Sequence, residues 1–129
     1  MTEPVWIEEQ DALALHDRLL ALHGGAAGMR DMALLQSALA RPWQISAYAQ
    51  TPGILDMAAA YTVGIVRNRP CLDGNKRTGF VIGVLFLELN GYRFTASEED
   101  AAQAVLGLAA GILEEQGYAA FLRANASFL

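Results

Sequence analysis

The sequence is poor in cysteine, in positive charge and in long hydrophobic runs. A single cysteine among 129 residues excludes an internal disulfide framework and fits a reducing compartment. Nine basic against fourteen acidic residues give a net charge of −5, which disfavours nucleic acid as a direct partner. The longest apolar run covers residues 79–87, well short of the roughly 20 residues that span a membrane. We therefore expect a cytoplasmic protein without a membrane segment.

What the chain does have is hydrophobic residues, 53% of the total, repeating with a helical period. The length suits one domain, residues 1–129, with enough interior for a core. The patterns predict an all-α protein, a compact bundle of about six helices without a convincing sheet. The predicted helices cover residues 7–22, 32–40, 54–68, 75–90, 98–113 and 118–125. A short extended link is predicted at residues 92–95.

Two connections in the first half of the chain carry turn signals. Residues 24–31 are rich in glycine and allow either a sharp reversal, which we favour, or a phosphate loop, although no standard phosphate-loop spacing is present. Asp31 is expected to cap the second helix, and Pro42 to stop it. Residues 42–53 show no helical period and are predicted to form a loop, in which Trp43 and Tyr48 either face a cleft or peptide or pack onto the core.

The helices predicted at residues 54–68 and 75–90 are apolar nearly all round. Such helices lie in the centre of a protein rather than at its surface. Their small residues, Gly64, Gly79 and Gly83, would let the two helices approach closely. The polar segment between them would therefore be held by the two most buried elements of the bundle.

That polar segment, residues 67–78, contains four of the nine basic residues of an acidic chain. Gly74 lets the backbone approach a ligand closely, and a helix beginning next to it would point its N–H groups at an anion. Asp73 is a hard carboxylate ligand suited to Mg²⁺, while Lys76 and Arg77 supply a point charge and a planar fork for phosphate oxygens. The residues predict a nucleoside triphosphate site.

A purely structural interpretation of the same segment competes with the anion site. Asp73 or Asn75 would then be the helix cap, and Lys76 and Arg77 would be solvated residues of the first turn. Cations at the start of a helix are unfavourable by about 0.3–1 kcal/mol each, because they oppose the helix dipole. Stability alone therefore does not select them, and a bound anion would remove the conflict.

Residues 70–78, Pro-Cys-Leu-Asp-Gly-Asn-Lys-Arg-Thr, resemble the signature of the Fic/Doc (Fido) superfamily, His-Pro-Phe-x-Asp-Gly-Asn-(Gly/Lys)-Arg. Residues 24–31, 34–42 and 86–92 are also similar to the Doc branch, so that the resemblance covers about residues 12–95. It implies the all-α Fido fold, with the motif loop between two central buried helices.

The resemblance also implies a function, which is ATP- and Mg²⁺-dependent transfer onto a protein hydroxyl. Lys76 occupies a position at which Doc-like proteins have Lys, and these resemble the toxin that phosphorylates a threonine of elongation factor Tu and stops protein synthesis. Fic proteins with Gly at this position usually transfer AMP, so AMP transfer stays an alternative. A Phd-like antitoxin would block such a toxin. By position, Asp73 would hold Mg²⁺, Gly74 and Asn75 would shape the anion nest, and Lys76 and Arg77 would bind phosphates.

The chain departs from the family pattern at two positions. Arg69 stands where the family has its catalytic His, and Cys71 stands where it has Phe. Arginine does not deprotonate at neutral pH, so it cannot serve as the general base, which is typically worth about 10²–10⁴-fold in rate. We therefore expect impaired or absent transfer. Cys71 is interpreted as a smaller loop anchor, with a nucleophilic role as the weaker alternative.

Three explanations of Arg69 stay open. It is either an inactivating substitution, or the mark of a natural inactive module that binds nucleotide or a protein partner, or a sign that another base such as His16 has taken over.

Overall fold

The computed structural model of the protein describes residues 3–48 and 53–129. The helices in these residues are α1 (Glu9–His23), α2 (Met32–Tyr48), α3 (Ile54–Asn68), α4 (Asn75–Leu89), α5 (Glu98–Ala109) and α6 (Glu115–Ala124). The prediction of an all-α bundle of about six helices is confirmed. No helix of the described part combines the length and apolarity that a bilayer crossing requires.

Two short strands were not predicted as a sheet. β1 (Tyr92–Phe94) pairs antiparallel with β2 (Ala126–Phe128), with Tyr92 opposite Phe128. The extended link at residues 92–95 was predicted correctly, but its partner strand was not. A three-residue strand carries no measurable period of its own, and its partner lies more than 30 residues away along the chain, so only the tertiary structure brings the two together.

The prediction that α2 ends before Pro42 is wrong. The helix continues to Tyr48, with Pro42 buried inside it. Proline removes one backbone hydrogen bond and costs about 3 kcal/mol in a helix interior, and burial of the same helix face at Leu35 and Ala38 offsets that cost. The predicted loop at residues 42–53 is therefore helical up to Tyr48, and residues 49–52 lie outside the described part.

The aromatic residues at the end of α2 do not pack onto the core. Trp43 is 54% exposed and Tyr48 is 86% exposed. The interpretation that they anchor the segment to the core is therefore wrong, and both side chains belong to the outer surface.

Several helix ends differ from the prediction by a few residues. α5 ends at Ala109 rather than near residue 113, because Gly111 adopts a φ of 76° and turns the chain. The start of α6 at Glu115 is earlier than predicted. The caps of two helices agree with prediction, since the carboxylate of Asp31 accepts the N–H of Ala33 at 2.9 Å, and the Ser97 hydroxyl accepts a backbone N–H at the start of α5.

The centre of the bundle is α3, which packs against α2, α4, α5 and α6. Its residues 57–66 are all buried. A Cβ at Gly83 of α4 would overlap the Thr62 hydroxyl, and a Cβ at Gly79 would lie 3.1 Å from the Thr62 carbonyl oxygen, so these two glycines permit the close approach of α3 and α4. Gly64 instead faces Ala38 of α2, which corrects its predicted role.

Candidate functional site

The polar loop begins where α3 ends, at an unusual backbone conformation. Arg69 lies in the left-handed region, with φ 52° and ψ 55°, and its N–H donates to the Ile65 carbonyl at 3.0 Å. Among the described residues it is the one non-glycine residue with positive φ. Such a conformation is strained for most side chains and persists where the surrounding structure determines it. The loop ends at Gly74, also left-handed at φ 77°, from which α4 begins.

The backbone of the glycine-rich connection holds the middle of this loop. The N–H groups of Arg30 and Asp31 donate to the Pro70 carbonyl at 2.6 and 3.0 Å. The Leu72 N–H donates to the Gly28 carbonyl at 3.1 Å. The connection therefore serves as a structural support, as we favoured, and it supports the motif loop in particular, which the sequence did not indicate.

The side chain of Arg30 adds a second set of contacts to the start of the loop. Its Nε donates to the Arg69 carbonyl at 2.8 Å, and its Nη2 donates to the Asn68 carbonyl at 2.9 Å. These carbonyls belong to the C-terminus of α3, where the helix dipole favours a cation. Arg30 thus stabilises the backbone that carries the Arg69 side chain.

The side chain of Asn75 closes the loop on itself. Its Oδ1 accepts the Cys71 N–H at 2.8 Å, and its Nδ2 donates to the Cys71 carbonyl at 2.9 Å. Cys71 is only 2% exposed, and burial raises the pKa of its thiol to about 11. A neutral buried thiol is a poor nucleophile, so the interpretation of Cys71 as a loop anchor fits the structure and the nucleophilic alternative does not.

The carboxylate of Asp73 is oriented by backbone N–H groups. Its Oδ1 accepts the Gly74 N–H at 2.9 Å, and its Oδ2 accepts the Ala26 N–H at 3.2 Å. A Cβ at Gly25 would lie 2.8 Å from Oδ2, so glycine is needed there to make room for the carboxylate. Each oxygen keeps a further lone pair, and the group remains able to coordinate a hard cation.

His16 of α1 lies directly beneath this loop. Its side chain is 1% exposed, and its Nε2 is 2.8 Å from the Asp73 carbonyl oxygen. A general base must reach the hydroxyl proton that it removes, and a ring buried under the loop does not reach an incoming protein side chain. The suggestion that His16 replaces the family base is therefore not supported by its position.

The predicted site residues surround one pocket of about 510 Å³, a size typical of small-molecule sites. The lining residues are Val66, Arg69, Leu72, Asp73, Gly74, Asn75, Lys76, Arg77 and Ala109. All six residues predicted for catalysis, cofactor and metal binding are therefore brought together. The apolar residues from α3, the loop and α5 that complete the wall were not predicted.

The electrostatics of the pocket favour an anion. α4 has no side-chain cap and no acidic residue in its first turn, and it places the exposed Lys76 and Arg77 there. Every other helix of the described part has either an acidic first turn or a side-chain cap. The ion pairs found in the described residues involve Arg41 and Arg123, and none of them involves a cation of the pocket. Free N–H groups, the helix dipole and fixed cations therefore act in the same direction.

A metal ion at this pocket would depend on its ligand for most of its coordination. In residues 3–48 and 53–129 no group of three or more His, Cys, Asp or Glu side chains is arranged to hold a metal. Mg²⁺ commonly takes one or two carboxylates and completes its shell with water and phosphate oxygens. Asp73 at the pocket edge fits that pattern as a single protein ligand.

A second, mainly apolar groove of about 680 Å³ adjoins the pocket. It lies between α1, α4, α5 and β1, and Lys76 and Arg77 line it at the end that meets the pocket. Its apolar wall consists of Leu19, Phe80, Val81, Val84, Phe94, Ala96, Ala101, Ala102, Val105 and Leu106. The groove was not predicted from sequence, because its walls come from four separate elements.

Comparison with known proteins yields one family and two similar relatives. The family described as Fic/DOC matches residues 6–87. The chain is 31% identical over 117 residues to the protein named Protein kinase doc of Escherichia phage P1, covering 91% of this chain and 92% of that protein. It is 39% identical over 77 residues to the protein named Toxin Doc of Mycolicibacterium smegmatis, covering 57% of each.

Proposed function

The chain belongs to the Fic/DOC family, and from that premise we propose that it is the Doc-like toxin of a toxin–antitoxin pair, formed by a single domain of residues 1–129. The proposed reaction is Mg²⁺- and ATP-dependent phosphoryl transfer to a Thr or Ser hydroxyl of a translation factor, elongation factor Tu. The observation that carries the proposal is the pocket that joins Asp73, Lys76 and Arg77 at the uncapped start of α4.

The proposed roles follow from the contacts of each side chain. Lys76 and Arg77 are exposed at the pocket and would bind phosphate oxygens, together with the N–H groups that begin α4. Asp73 would hold Mg²⁺, which supplies charge neutralisation to the transferring phosphoryl group. Gly74 would let the phosphates approach the backbone. Asn75 would shape the loop rather than contact the nucleotide, because Cys71 engages both ends of its amide.

Arg69 lines the pocket but cannot act as the base. We propose that transfer by this chain is impaired or absent for that reason, by about 10²–10⁴-fold relative to a chain with histidine there. Histidine is among the residues that tolerate the left-handed conformation found at this position, so Arg69→His is compatible with the loop.

The test is transfer from labelled ATP to purified elongation factor Tu in the presence of Mg²⁺. ATP labelled at the γ-phosphate reports phosphoryl transfer, and ATP labelled at the α-phosphate reports the AMP transfer that stays the alternative. The native chain is compared with Arg69→His, and Asp73→Asn in the Arg69→His background is the control. Transfer of the γ-phosphate label to elongation factor Tu by Arg69→His, and its loss in the control, would support the toxin proposal. If only the α-phosphate label is transferred to the protein, AMP transfer would replace phosphoryl transfer as the proposed reaction.

A second candidate function, a module that binds nucleotide or a protein without transfer, is favoured by the charge of Arg69 itself. A third cation in the pocket adds to anion binding while removing the base. Nucleotide binding by both chains with transfer by neither would support this module. If neither chain binds nucleotide, the assignment of the pocket is wrong.

The antitoxin is proposed to be a Phd-like protein that inserts a segment into the apolar groove beside the pocket. An amphipathic helix fits such a groove by its apolar face, and an acidic residue on it would meet Lys76 and Arg77 at the end of the groove. Leu106 lines the rim and is 50% exposed, so Leu106→Asp should weaken antitoxin binding without unfolding the chain. Val5, 52% exposed and not part of the groove lining, gives the matched control Val5→Asp.

A further inference from the structure

His16 is a buried polar side chain beneath the motif loop, and the proposed reaction does not use it. It is 1% exposed, and its Nε2 is 2.8 Å from the Asp73 carbonyl oxygen. A carbonyl oxygen only accepts hydrogen bonds, so Nε2 must carry the proton and donate it. The other ring nitrogen, Nδ1, is buried without any hydrogen-bond partner among the described residues.

This arrangement is not the one that stability alone would select. A buried nitrogen without a partner is unfavourable, and a leucine of similar volume would fill the space without it. The two buried residues of α1 are Ala12, which is apolar, and His16. An apolar residue at position 16 would therefore suit this face of the helix. The hydrogen bond to Asp73 is the one contact of the ring that a leucine could not make.

That hydrogen bond determines the orientation of one peptide unit. The carbonyl of Asp73 and the N–H of Gly74 belong to the same planar group and point in opposite directions. His16 holds the carbonyl, and the N–H therefore points toward the Asp73 carboxylate, which accepts it at 2.9 Å. Gly74 has φ 77° and no Cβ, so its own backbone restricts this peptide unit less than any other residue would, and the hydrogen bond from His16 supplies part of the missing restraint.

We propose that His16 is a positioning residue of the pocket, which acts by fixing the Asp73–Gly74 peptide and through it the carboxylate and the start of α4. One further hydrogen bond and one glycine complete the support of Asp73. The Ala26 N–H donates to its second carboxylate oxygen at 3.2 Å, and Gly25 leaves room for that oxygen. The naming of Mg²⁺–ATP as the ligand of this carboxylate rests on the proposed function, whereas the role of His16 in the loop does not.

The test compares three substitutions at one position. In His16→Gln the side-chain amide nitrogen reaches about as far from the backbone as Nε2 and can still donate to the carbonyl. In His16→Asn the amide is too short for that contact, and in His16→Leu the donor is absent. We expect Mg²⁺–ATP to bind about 10-fold more weakly to the Leu and Asn variants, and within about 3-fold of the native affinity to the Gln variant.

Stability separates positioning from a structural role. The Leu variant is expected to melt within a few degrees of the native chain, because removal of the unpartnered Nδ1 offsets the hydrogen bond lost at the Asp73 carbonyl, although it binds nucleotide more weakly. Equal nucleotide affinity in the native and Leu chains would overturn the proposal, and so would a loss of affinity in the Gln variant as large as in the Leu variant. Should the Leu variant fail to fold, the Asn and Gln pair gives the same comparison.

A second measurement needs no nucleotide and keeps this inference separate from the proposed function. Amide hydrogen exchange of Gly74 in the ligand-free chain should be slow in the native and Gln forms and about 10-fold faster in the Leu and Asn forms. Unchanged exchange in the Leu and Asn forms overturns the role of His16. If the native chain binds no nucleotide while exchange changes as expected, the proposed function fails and the positioning role stands.

Discussion

At the scale of single residues, the side chains in and around the motif loop differ in whether they bind the loop backbone or leave their charge free at the pocket. Asn75 and Arg30 use their donors on backbone carbonyls of the loop. Lys76 and Arg77 remain exposed at the pocket without an ion-pair partner among the described residues. The difference matters for mutagenesis. Substitutions of Asn75 or Arg30 change the conformation of the loop, whereas substitutions of Lys76 or Arg77 change the charge of the pocket.

Cys71 gives a prediction about alkaline pH. Burial raises the pKa of its thiol from 9.0 to about 11, so the folded chain binds this proton more tightly than the unfolded chain does. Its contribution to stability is therefore complete below pH 9 and is lost as the pH rises through about 11. Between pH 8 and pH 10 the free energy of unfolding measured in urea should fall by about 1 kcal/mol more in the native chain than in Cys71→Ala.

The Cys71→Ala comparison is needed because buried tyrosines titrate in a neighbouring range. Burial raises the pKa values of Tyr61 and Tyr118 to about 12, so these tyrosines also reduce the free energy of unfolding at alkaline pH. The native chain and Cys71→Ala share this reduction. Equal losses in the two chains would contradict the burial of the thiol.

At the scale of elements, helix ends and helix contacts depend on different kinds of residue. The start of α2 depends on one side chain, since Asp31 Oδ1 accepts the N–H groups of Ala33 and Leu34 at 2.9 and 3.2 Å. The contact of α3 with α4 depends instead on an absence of side chains, at Gly79 and Gly83. The first is a local feature and the second a tertiary one.

Asp31→Ala should lower the free energy of unfolding by about 1 kcal/mol, because two N–H groups at the start of α2 lose their acceptor. Urea denaturation measures this loss. Asp31→Asn keeps an acceptor oxygen and should recover most of it. A loss of the same size in the Asn variant would show that the charge, rather than the hydrogen bonds, is responsible.

Gly83→Ala should lower the free energy of unfolding by about 2–3 kcal/mol, although alanine is normally the better helix former. The added Cβ would overlap the Thr62 hydroxyl and lie 3.1 Å from the Ala58 carbonyl oxygen. In a Thr62→Ala background the first clash is removed, and the cost of Gly83→Ala should fall by at least about 1 kcal/mol. Additive effects in this double-mutant cycle would place the strain elsewhere.

At the scale of the whole molecule, an acidic protein places around one pocket three cations that have no ion-pair partner among the described residues. The net charge is −5, yet Arg69, Lys76 and Arg77 line the same pocket. A ligand that binds only the folded state raises the stability of the entire chain by mass action. Global stability therefore reports on occupancy of the pocket.

Mg²⁺–ATP at about 100 times its dissociation constant should stabilise the native chain by about 2.7 kcal/mol, seen as a rise in melting temperature. The double variant Lys76→Gln/Arg77→Gln should lose this rise. Without ligand the double variant should be as stable as the native chain or more so, since cations at the start of a helix are unfavourable. Arg93→Gln, on the exposed side of β1, is the control and should keep the rise. A rise that persists in the double variant would contradict the assignment of the pocket.

The sequence by itself determined the helical class, the two buried central helices and the polar loop between them. It did so because helical periodicity, glycine and proline positions and clustered charge act over neighbouring residues. The helix at Ile54–Asn68 was predicted to the residue, and all six predicted site residues line the pocket.

Only the tertiary structure decided what depends on distant contacts. α2 continues past Pro42 because burial of its face outweighs the local cost of proline. β1 pairs with β2 although two helices lie between them in the sequence. In the site, Arg30 and His16 support the loop from 38 and 57 residues away in the chain. A hydrogen bond between distant residues does not alter the sequence pattern around either partner. The residues that position the pocket could therefore be identified only from the folded structure.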